Sequence, residues 1–332
     1  MENKKFVFNK QSDYEKEVFK KDCAQFSAAS VATGYSNIDA MTSLYPGLYV
    51  IGAVTSLGKT TFIHQMCDQL AKYYEKHILY FSLEMSKREL TAKSLARIMF
   101  QNKYINSMTA LDIMKHCNDE DVNYIESVDR AISDHYYSDK INIIDNSYGL
   151  SIKDIEDCVD DFINEMKVKP IVVIDYLQII SPEKSTNNSR ADIDNIVIRL
   201  KRLQAKYGIT LIVISSFNRQ NYMNEIGFDS FKESGGIEYS ADVLWGLQLQ
   251  AVHSDEFNRG NTNEKRDILN QAKLQAPRKV ELVCLKDRFG TPIYNCDFNY
   301  YSKHDCFIPE EDDEYDFNEI PDEYLNTLPY NI

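Results

Sequence analysis

The chain carries little that could staple it or chelate a metal. Its seven cysteines are odd in number, scattered, and free of any CxxC spacing, which argues against a zinc knuckle or a disulfide frame. The six histidines form no HxxxH or HExxH pattern, so a histidine-based metal centre is not expected either. Long hydrophobic runs are missing: the longest apolar stretch, residues 171–180, contains Asp175 and falls short of a membrane span of about 20 residues. The first thirty residues are polar and charged, without the form of a signal peptide, so the cytoplasm is the expected compartment and no membrane is implied. Basic charge is also short, with a net charge of −14. Nine of the acids, however, lie between Glu310 and Glu323 with no base among them. The rest is a mildly acidic body that can still carry a local basic stripe, so total charge does not exclude a nucleic-acid partner.

What remains is long enough for one large domain: 332 residues, 43% of them hydrophobic. Residues 1–32 read as a polar arm with one short helix, capped by Ser12 and showing Phe19, Cys23 and Phe26 on one narrow face. The body, 33–308, alternates strand and helix signals. Apolar strands are expected at 47–53, 78–83, 141–144, 171–174, 210–215 and 243–248. Helices are expected at about 59–74, through a long region ending near His135, at 151–166, and at 191–207. In the last of these Ile193, Val197, Leu200 and Leu203 form a stripe. This alternation predicts an α/β fold, a mostly parallel sheet covered by helices on both faces. Residues 280–285 and 292–298 flank Asp287-Arg288-Phe289-Gly290 and predict a β-hairpin at the sheet edge. The segment 253–277 is polar with room for a short helix, and 309–332 is an acidic tail.

Two stretches carry chemistry on their own. Gly52-Ala53-Val54-Thr55-Ser56-Leu57-Gly58-Lys59-Thr60 fits GxxxxGK[ST] and sits between an apolar strand and a helix, as a phosphate-binding loop must. The backbone N–H groups of such a loop and of the helix N-terminus, here including Gly52, Thr55, Ser56, Leu57, Gly58 and Thr61, can surround the phosphates of ATP. Lys59 would reach the terminal phosphates, and Thr60 would place its hydroxyl on Mg²⁺. The strand Ile171-Val172-Val173-Ile174-Asp175 ends in an acid suited to hold that Mg²⁺.

Further stretches then occur in a telling order. They are Phe81-Ser82-Leu83-Glu84-Met85, Asp175-Tyr176-Leu177-Gln178, Lys232-Glu233-Ser234-Gly235-Gly236-Ile237-Glu238, and Lys286-Asp287-Arg288, with Thr33-Gly34 and Ile38-Asp39 at the opening. Together they resemble the C-terminal, RecA-like P-loop ATPase domain of DnaB-type replicative helicases, over roughly residues 31–300. The resemblance implies a RecA-like motor domain at 33–308. It casts Glu84 as the general base that orients the attacking water, since a carboxylate near the γ-phosphate can accept a water proton. It implies that Arg288, as an arginine finger, and Lys286 reach a neighbouring subunit's nucleotide, and hence a homo-oligomer, a hexameric ring in the family. It places Lys232, Glu233 and Gly235 in a loop that holds single-stranded DNA phosphates, with Lys184 and Arg190 in a second loop lining the same channel. Gln178, Ser216 and Asn218 fall in the sensor region. There Ser216 stands where the family has glutamine, a part that Asn218 or Gln178 could take. The family's N-terminal primase-interacting domain has no counterpart ahead of the arm, which itself resembles a linker helix docking on an adjacent subunit.

Three functions follow as alternatives. The first is an ATP-driven 5′→3′ DNA helicase, with a loader or other replication protein as further partner. The second is a regulatory or assembly ATPase acting on a protein partner, favoured by the acidic body, Ser216 and the acidic tail. The third is a RecA-like recombination or annealing ATPase that forms filaments. Stimulation of ATPase by single-stranded DNA separates the first and third from the second, and ring or filament shape separates the first from the third.

Overall fold

The computed structural model describes residues 10–116, 122–145, 149–183, 185–186, 188–218, 222–231 and 234–312. The strands are β1 (Leu48–Ala53), β2 (Ile78–Ser82), β3 (Ile141–Ile144), β4 (Ile171–Asp175), β5 (Leu211–Ser216), β6 (Val243–Leu249), β7 (Arg278–Asp287), β8 (Tyr294–Tyr301) and β9 (Cys306–Pro309). Among the described residues they join in one sheet, ordered β3-β2-β4-β5-β1-β6-β7-β8-β9. From β3 to β6 every pairing is parallel, and from β6 outward every pairing is antiparallel.

The parallel strands are apolar runs because helices cover both their faces. Along β1, Tyr49 and Ile51 enter one core with Phe62, Met66, Trp245 and Phe298, while Leu48 and Val50 enter the other with Ile155, Val197, Leu200 and Ile237. Period-two alternation thus splits one strand between two cores. A fully buried Leu or Phe in either core contributes about 1.5–3 kcal/mol over leaving it in water.

The helices are α1 (Gln11–Glu17), α2 (Phe19–Ala29), α3 (Ser36–Asp39), α4 (Lys59–Tyr74), α5 (Lys87–Gln101), α6 (Ala110–His116), α7 (Val122–Asp134), α8 (Ile152–Met166), α9 (Ser189–Tyr207), α10 (Ser234–Ser240), α11 (Asp255–Arg259) and α12 (Thr262–Leu274). Capping boxes start α5 (Ser86 with Glu89), α8 (Ser151 with Asp154) and α12 (Asn261 with Glu264). Asn188 opens α9 and Gly208 closes it in the left-handed region.

Local detail departs from the sequence reading in four places. The arm forms two helices, and Ser12 lies inside the first, whose N-cap is Lys10 without a side-chain bond. The long helical region after Glu84 is broken into α5, α6 and α7. The polar segment after His253 contains a 13-residue helix, α12. Outside the expected hairpin, β9 adds one more strand, pairing Phe298 with Pro309 and Tyr301 with Cys306.

A buried polar network ties α4 to α5 and to the turn before β9. Arg97 donates to Asp68 (2.5 Å) and to the carbonyl of Asp305 (2.7 Å), and Ser94 donates to Asp68 (2.7 Å). His64 meets the carbonyl of Leu90 at 3.0 Å, and Asp305 pairs with Lys93. Burial works to raise the Asp68 carboxyl, but the Arg97 guanidinium, with His64 and His135, outweighs it and holds the acid far below its usual range. Among the described residues no helix is long and apolar enough to cross a membrane.

Candidate functional site

The phosphate-binding loop forms where β1 ends and α4 begins. Gly58 has φ +91°, a left-handed conformation that a side chain resists, and it lets the backbone turn into α4 with its N–H groups pointing outward. A Cβ there would also stand 2.9 Å from the rings of Tyr300 and Phe307, which stack on each other with centroids 4.0 Å apart. Thr55 and Ser56 are exposed and Leu57 is buried. Lys59 folds back over the loop and donates to the carbonyls of Ala53 (3.1 Å) and Val54 (3.4 Å). The Thr61 hydroxyl is committed to Asp305 (3.0 Å), so what this residue can offer a phosphate is its backbone N–H.

Three charged groups converge beside the loop. Asp175 ends β4 level with Ser82, its carbonyl accepts the N–H of Leu83 (2.7 Å), and its carboxylate accepts Tyr80 Oη at 3.2 Å. Burial pushes the Asp175 carboxyl up to about 6; hydrogen bonds from Thr60 and Tyr80 and the charge of Lys59 pull it down, while Glu84 adds to the rise. Burial lowers the Lys59 ammonium, opposed by Asp175 and Glu84. Glu84 itself is exposed, two residues beyond β2. The sequence therefore brings Lys59, Thr60, Glu84 and Asp175 to one end of the sheet, as the motif spacing requires. A carboxylate beside a hydroxyl offers the hard oxygen donors that Mg²⁺ takes, usually shared with substrate phosphates. Among the described residues no group of three or more His, Cys, Asp or Glu gathers into a metal cage.

Ser216, expected in the sensor region, lies at the end of β5, level with the loop: Ser215 pairs with Gly52 and Ser216 with Ala53. Gln178 bridges β4 to β5, donating to Ser215 Oγ (2.9 Å) and accepting the N–H of Ser216 (3.2 Å). Gln178 thus occupies the side-chain link between these strand ends. Asn218 turns its backbone N–H to the carbonyl of Ser230 (2.8 Å).

Of the residues expected to meet DNA, Lys184, Lys232 and Glu233 lie outside the described residues. The other two are brought together: Arg190, in the first turn of α9, has Nη2 3.0 Å from where a Cβ on Gly235 would stand. The N–H of Gly236 donates to Asp194 (3.1 Å), joining the start of α10 to α9.

Arg288 and Lys286 stand elsewhere. Asp287 shapes the tip after β7, accepting Thr42 Oγ1, Tyr45 Oη and the N–H groups of Phe289 and Gly290. Arg288, half exposed, pairs with buried Asp242 at 3.1 Å, and Lys286 donates to the carbonyl of Glu238 at 2.8 Å. Burial and the adjacent Arg288 charge lower the Lys286 ammonium. The ladder sets Asp287 opposite Val243, and Val243 opposite Tyr49, whereas the phosphate loop follows Ala53. Arg288 is therefore about four or five residues down the sheet from its own loop, roughly 17 Å at strand spacing. An arginine side chain does not cover that distance.

Two residues at the loop, Arg278 and Tyr300, carry no mark in the sequence. Arg278, at the opposite end of β7, donates to the carbonyl of Ser56 (3.3 Å), and its guanidinium lies 5.7 Å from the Tyr300 ring centroid. The buried Nε of Arg278 has no partner among the described residues. Both residues belong to strands joined to the loop only in three dimensions.

Phosphate loop, acid-ended strand and sheet order together define a P-loop nucleotide-binding domain of the RecA-like class. The chain aligns with a solved ATPase domain at a TM-score of 0.71 and 21% identity, covering 91% of this chain and 99% of that one. It aligns also with a DnaB-like replicative helicase whose structure was described with its interactions with primase (TM-score 0.69, 22% identity, 91% and 67%). The family model for the DnaB-like helicase C terminal domain matches residues 30–308, and the chain belongs to that family. Relatives include a probable replicative DNA helicase of Trieres chinensis, 27% identical over 85% of this chain and 58% of the relative. Another is the replicative DNA helicase DnaB of Haemophilus influenzae, 28% identical over 68% and 47%. The chain spans about half the length of these curated relatives.

Proposed function

We propose that this protein is an ATP-hydrolysing motor of the DnaB type, which moves on single-stranded DNA in the 5′→3′ sense as a homo-oligomer, a hexameric ring, in the cytoplasm. One observation carries the proposal: Glu84, Asp175 and Lys59 gather at one end of the sheet, while Arg288 projects from the other end and needs a second copy's nucleotide to act on.

The residues divide the work. Backbone N–H groups of the loop from Val54 to Thr60 and the first turn of α4 cradle the phosphates, and Lys59 leaves its two carbonyl acceptors for the terminal phosphates. Thr60 and Asp175 would hold Mg²⁺, which neutralises phosphate charge when bound. Glu84 orients a water and accepts its proton as that water attacks the γ-phosphorus. The bond from that phosphorus to the β–γ bridging oxygen breaks, so that ADP leaves with the electron pair. Arg288 of the adjacent copy meets the charge that develops on the transferred group, an effect of several powers of ten in such enzymes, and Lys286 contributes a second positive charge nearby. Arg278 flanks the loop and offers the base a guanidinium, backed by the buried Tyr300 ring. Arg190 and the N–H groups near Gly235 offer contacts to DNA phosphates, continued by Lys184, Lys232 and Glu233 in the adjoining loops. Gln178, Ser216 and Asn218 relay the state of the γ-phosphate to those loops, with Gln178 as the link. The arm 1–32 packs on the adjacent copy, 33–308 is the motor, and a loader or other replication protein is a further partner. Residues 309–332 are the acidic tail, its first residues held on the body where Pro309 ends β9 and Glu310 pairs with Lys279.

The test is ATP turnover with and without single-stranded DNA on the wild type, Lys59→Ala, Glu84→Gln and Arg288→Ala. All three variants lose turnover, Glu84→Gln still binds ATP, and mixing Arg288→Ala with Glu84→Gln restores part of the activity at shared interfaces. A wild type indifferent to DNA would point instead to a regulatory ATPase.

A further inference from the structure

Arg288 does not hang free from its turn. Asp242, 3% exposed and just ahead of β6, forms an ion pair with Arg288 Nη1 at 3.1 Å, and its carbonyl accepts the N–H of Arg288 at 3.0 Å. The same carboxylate accepts the N–H of Leu48 (2.8 Å) and pairs with Lys201. Residue 242 therefore fixes both the backbone and the side chain of Arg288, while Asp287 fixes the turn beside it. A guanidinium has five N–H donors, so the ion pair with Asp242 aims the group and leaves donors available.

Asp242 also stands where two helices meet the finger strand. Lys201 belongs to α9, the helix whose first turn holds Arg190. Lys286, two residues before Arg288, donates to Glu238 of α10, the helix that begins beside Gly235. Each helix thus starts at a loop assigned to DNA and is bound further along to the end of β7, one through Asp242 and one through Lys286. The N–H of Gly236 near the start of α10 is joined to Asp194, in the second turn of α9.

We infer that Asp242 is the positioning residue for Arg288, and that the Lys201–Asp242–Arg288 chain passes DNA occupancy of the two loops to the aim of the finger in the neighbouring copy's site. A carboxylate shared by two cations holds either one more loosely than it would hold one alone, so a shift of α9 that draws Lys201 away changes how firmly Arg288 is kept. Misaiming a catalytic group by about 1 Å is enough to cost on the order of 10²-fold in rate. The inference rests on the motor reading above.

The experiment uses the full chain with ATP and single-stranded oligonucleotide. Asp242→Asn keeps an acceptor for Leu48 and loses both ion pairs. It lowers DNA-stimulated kcat by roughly 10²-fold and leaves KM for ATP near the wild-type value, because the loop lies at the other end of the sheet. In the Arg288→Ala background it causes no further loss. Mixed with Glu84→Gln it regains activity, since the partner supplies a well-aimed finger to an intact site; a chain damaged at its own site could not be rescued so. Lys201→Met lowers the ratio of DNA-stimulated to basal turnover, and it carries the test if Asp242→Asn does not fold. Full activity of Arg288→Ala would sink the finger reading itself. Inactive Arg288→Ala alongside fully active Asp242→Asn, additive losses in the double variant, or an unchanged stimulation ratio in Lys201→Met would overturn the positioning role alone.

Discussion

Replacing Arg97 by methionine tests whether the charged network between α4 and α5 holds the nucleotide helix in place. The side chains of Arg97 and Asp68 are 2% and 5% exposed. Arg97→Met keeps most of the side-chain volume but removes the bonds to Asp68 (2.5 Å) and to the Asp305 carbonyl (2.7 Å). Asp68 is then a buried acid without its cation, a situation that costs about 3–5 kcal/mol. Against a total stability of about 5–15 kcal/mol, that is a large fraction. With a urea m-value of about 3 kcal/mol/M, the unfolding midpoint falls by roughly 1–1.7 M at unchanged m. Adding Asp68→Leu to Arg97→Met replaces the stranded charge with apolar volume and recovers most of the loss, because a buried ion pair and a packed apolar pair are often close in stability. A single variant that loses less than about 1 kcal/mol, or a double variant no more stable than the single, would refute the reasoning.

Other expectations follow from named contacts. Burial lowers His64 to about 4 from its ordinary 6.5, so the unfolded chain binds a proton the fold refuses. The contribution of this group is read as the difference in thermal unfolding between wild type and His64→Gln across pH. It is flat above neutral pH, falls as pH drops from 6.5, and by pH 4 is smaller by about 3 kcal/mol. Asp175, raised to about 6, works in the opposite sense over the same window. A Cβ on Gly52 would stand 2.1 Å from Phe217. Gly52→Ala therefore costs about 1–3 kcal/mol by overpacking, with weaker nucleotide binding in a fluorescent-ATP titration. Arg278→Ala removes the guanidinium at Ser56 and Tyr300, raising KM for ATP about tenfold, a loss of about 1.4 kcal/mol of binding, with kcat little changed in steady-state assays.

The parallel core was legible because its strands are buried on both faces and read as plain apolar runs, as in residues 171–175 and 211–216. The phosphate loop was legible because its chemistry needs consecutive residues. Arg278 and Tyr300 are invisible in sequence because they meet Ser56 and Gly58 only through the fold, more than 200 positions away in the case of Arg278. Gln178 is recognisable only as a substitute, since its bond to Ser215 spans 37 positions. Asp242 precedes a strand as many capping acids do, and only the folded positions of Arg288 and Lys201 set it apart. The four residues of β9 are too few for a periodicity, and they end in a proline that reads as a breaker.

Strand β7 runs ten residues, paired with β8 over Arg278–Cys284 and with β6 over Val280–Asp287 through one register shift, Arg278 at its head and Asp287 at its tail, just before Arg288. A paired strand neither stretches nor shortens, so it acts as a ruler of roughly 33 Å. If one end touches a chain's own ATP and the other serves the next chain's, the interval between successive ATP molecules is built into this strand. Lengthening β7 by a residue pair would change the pitch of the assembly while leaving each pocket's chemistry intact.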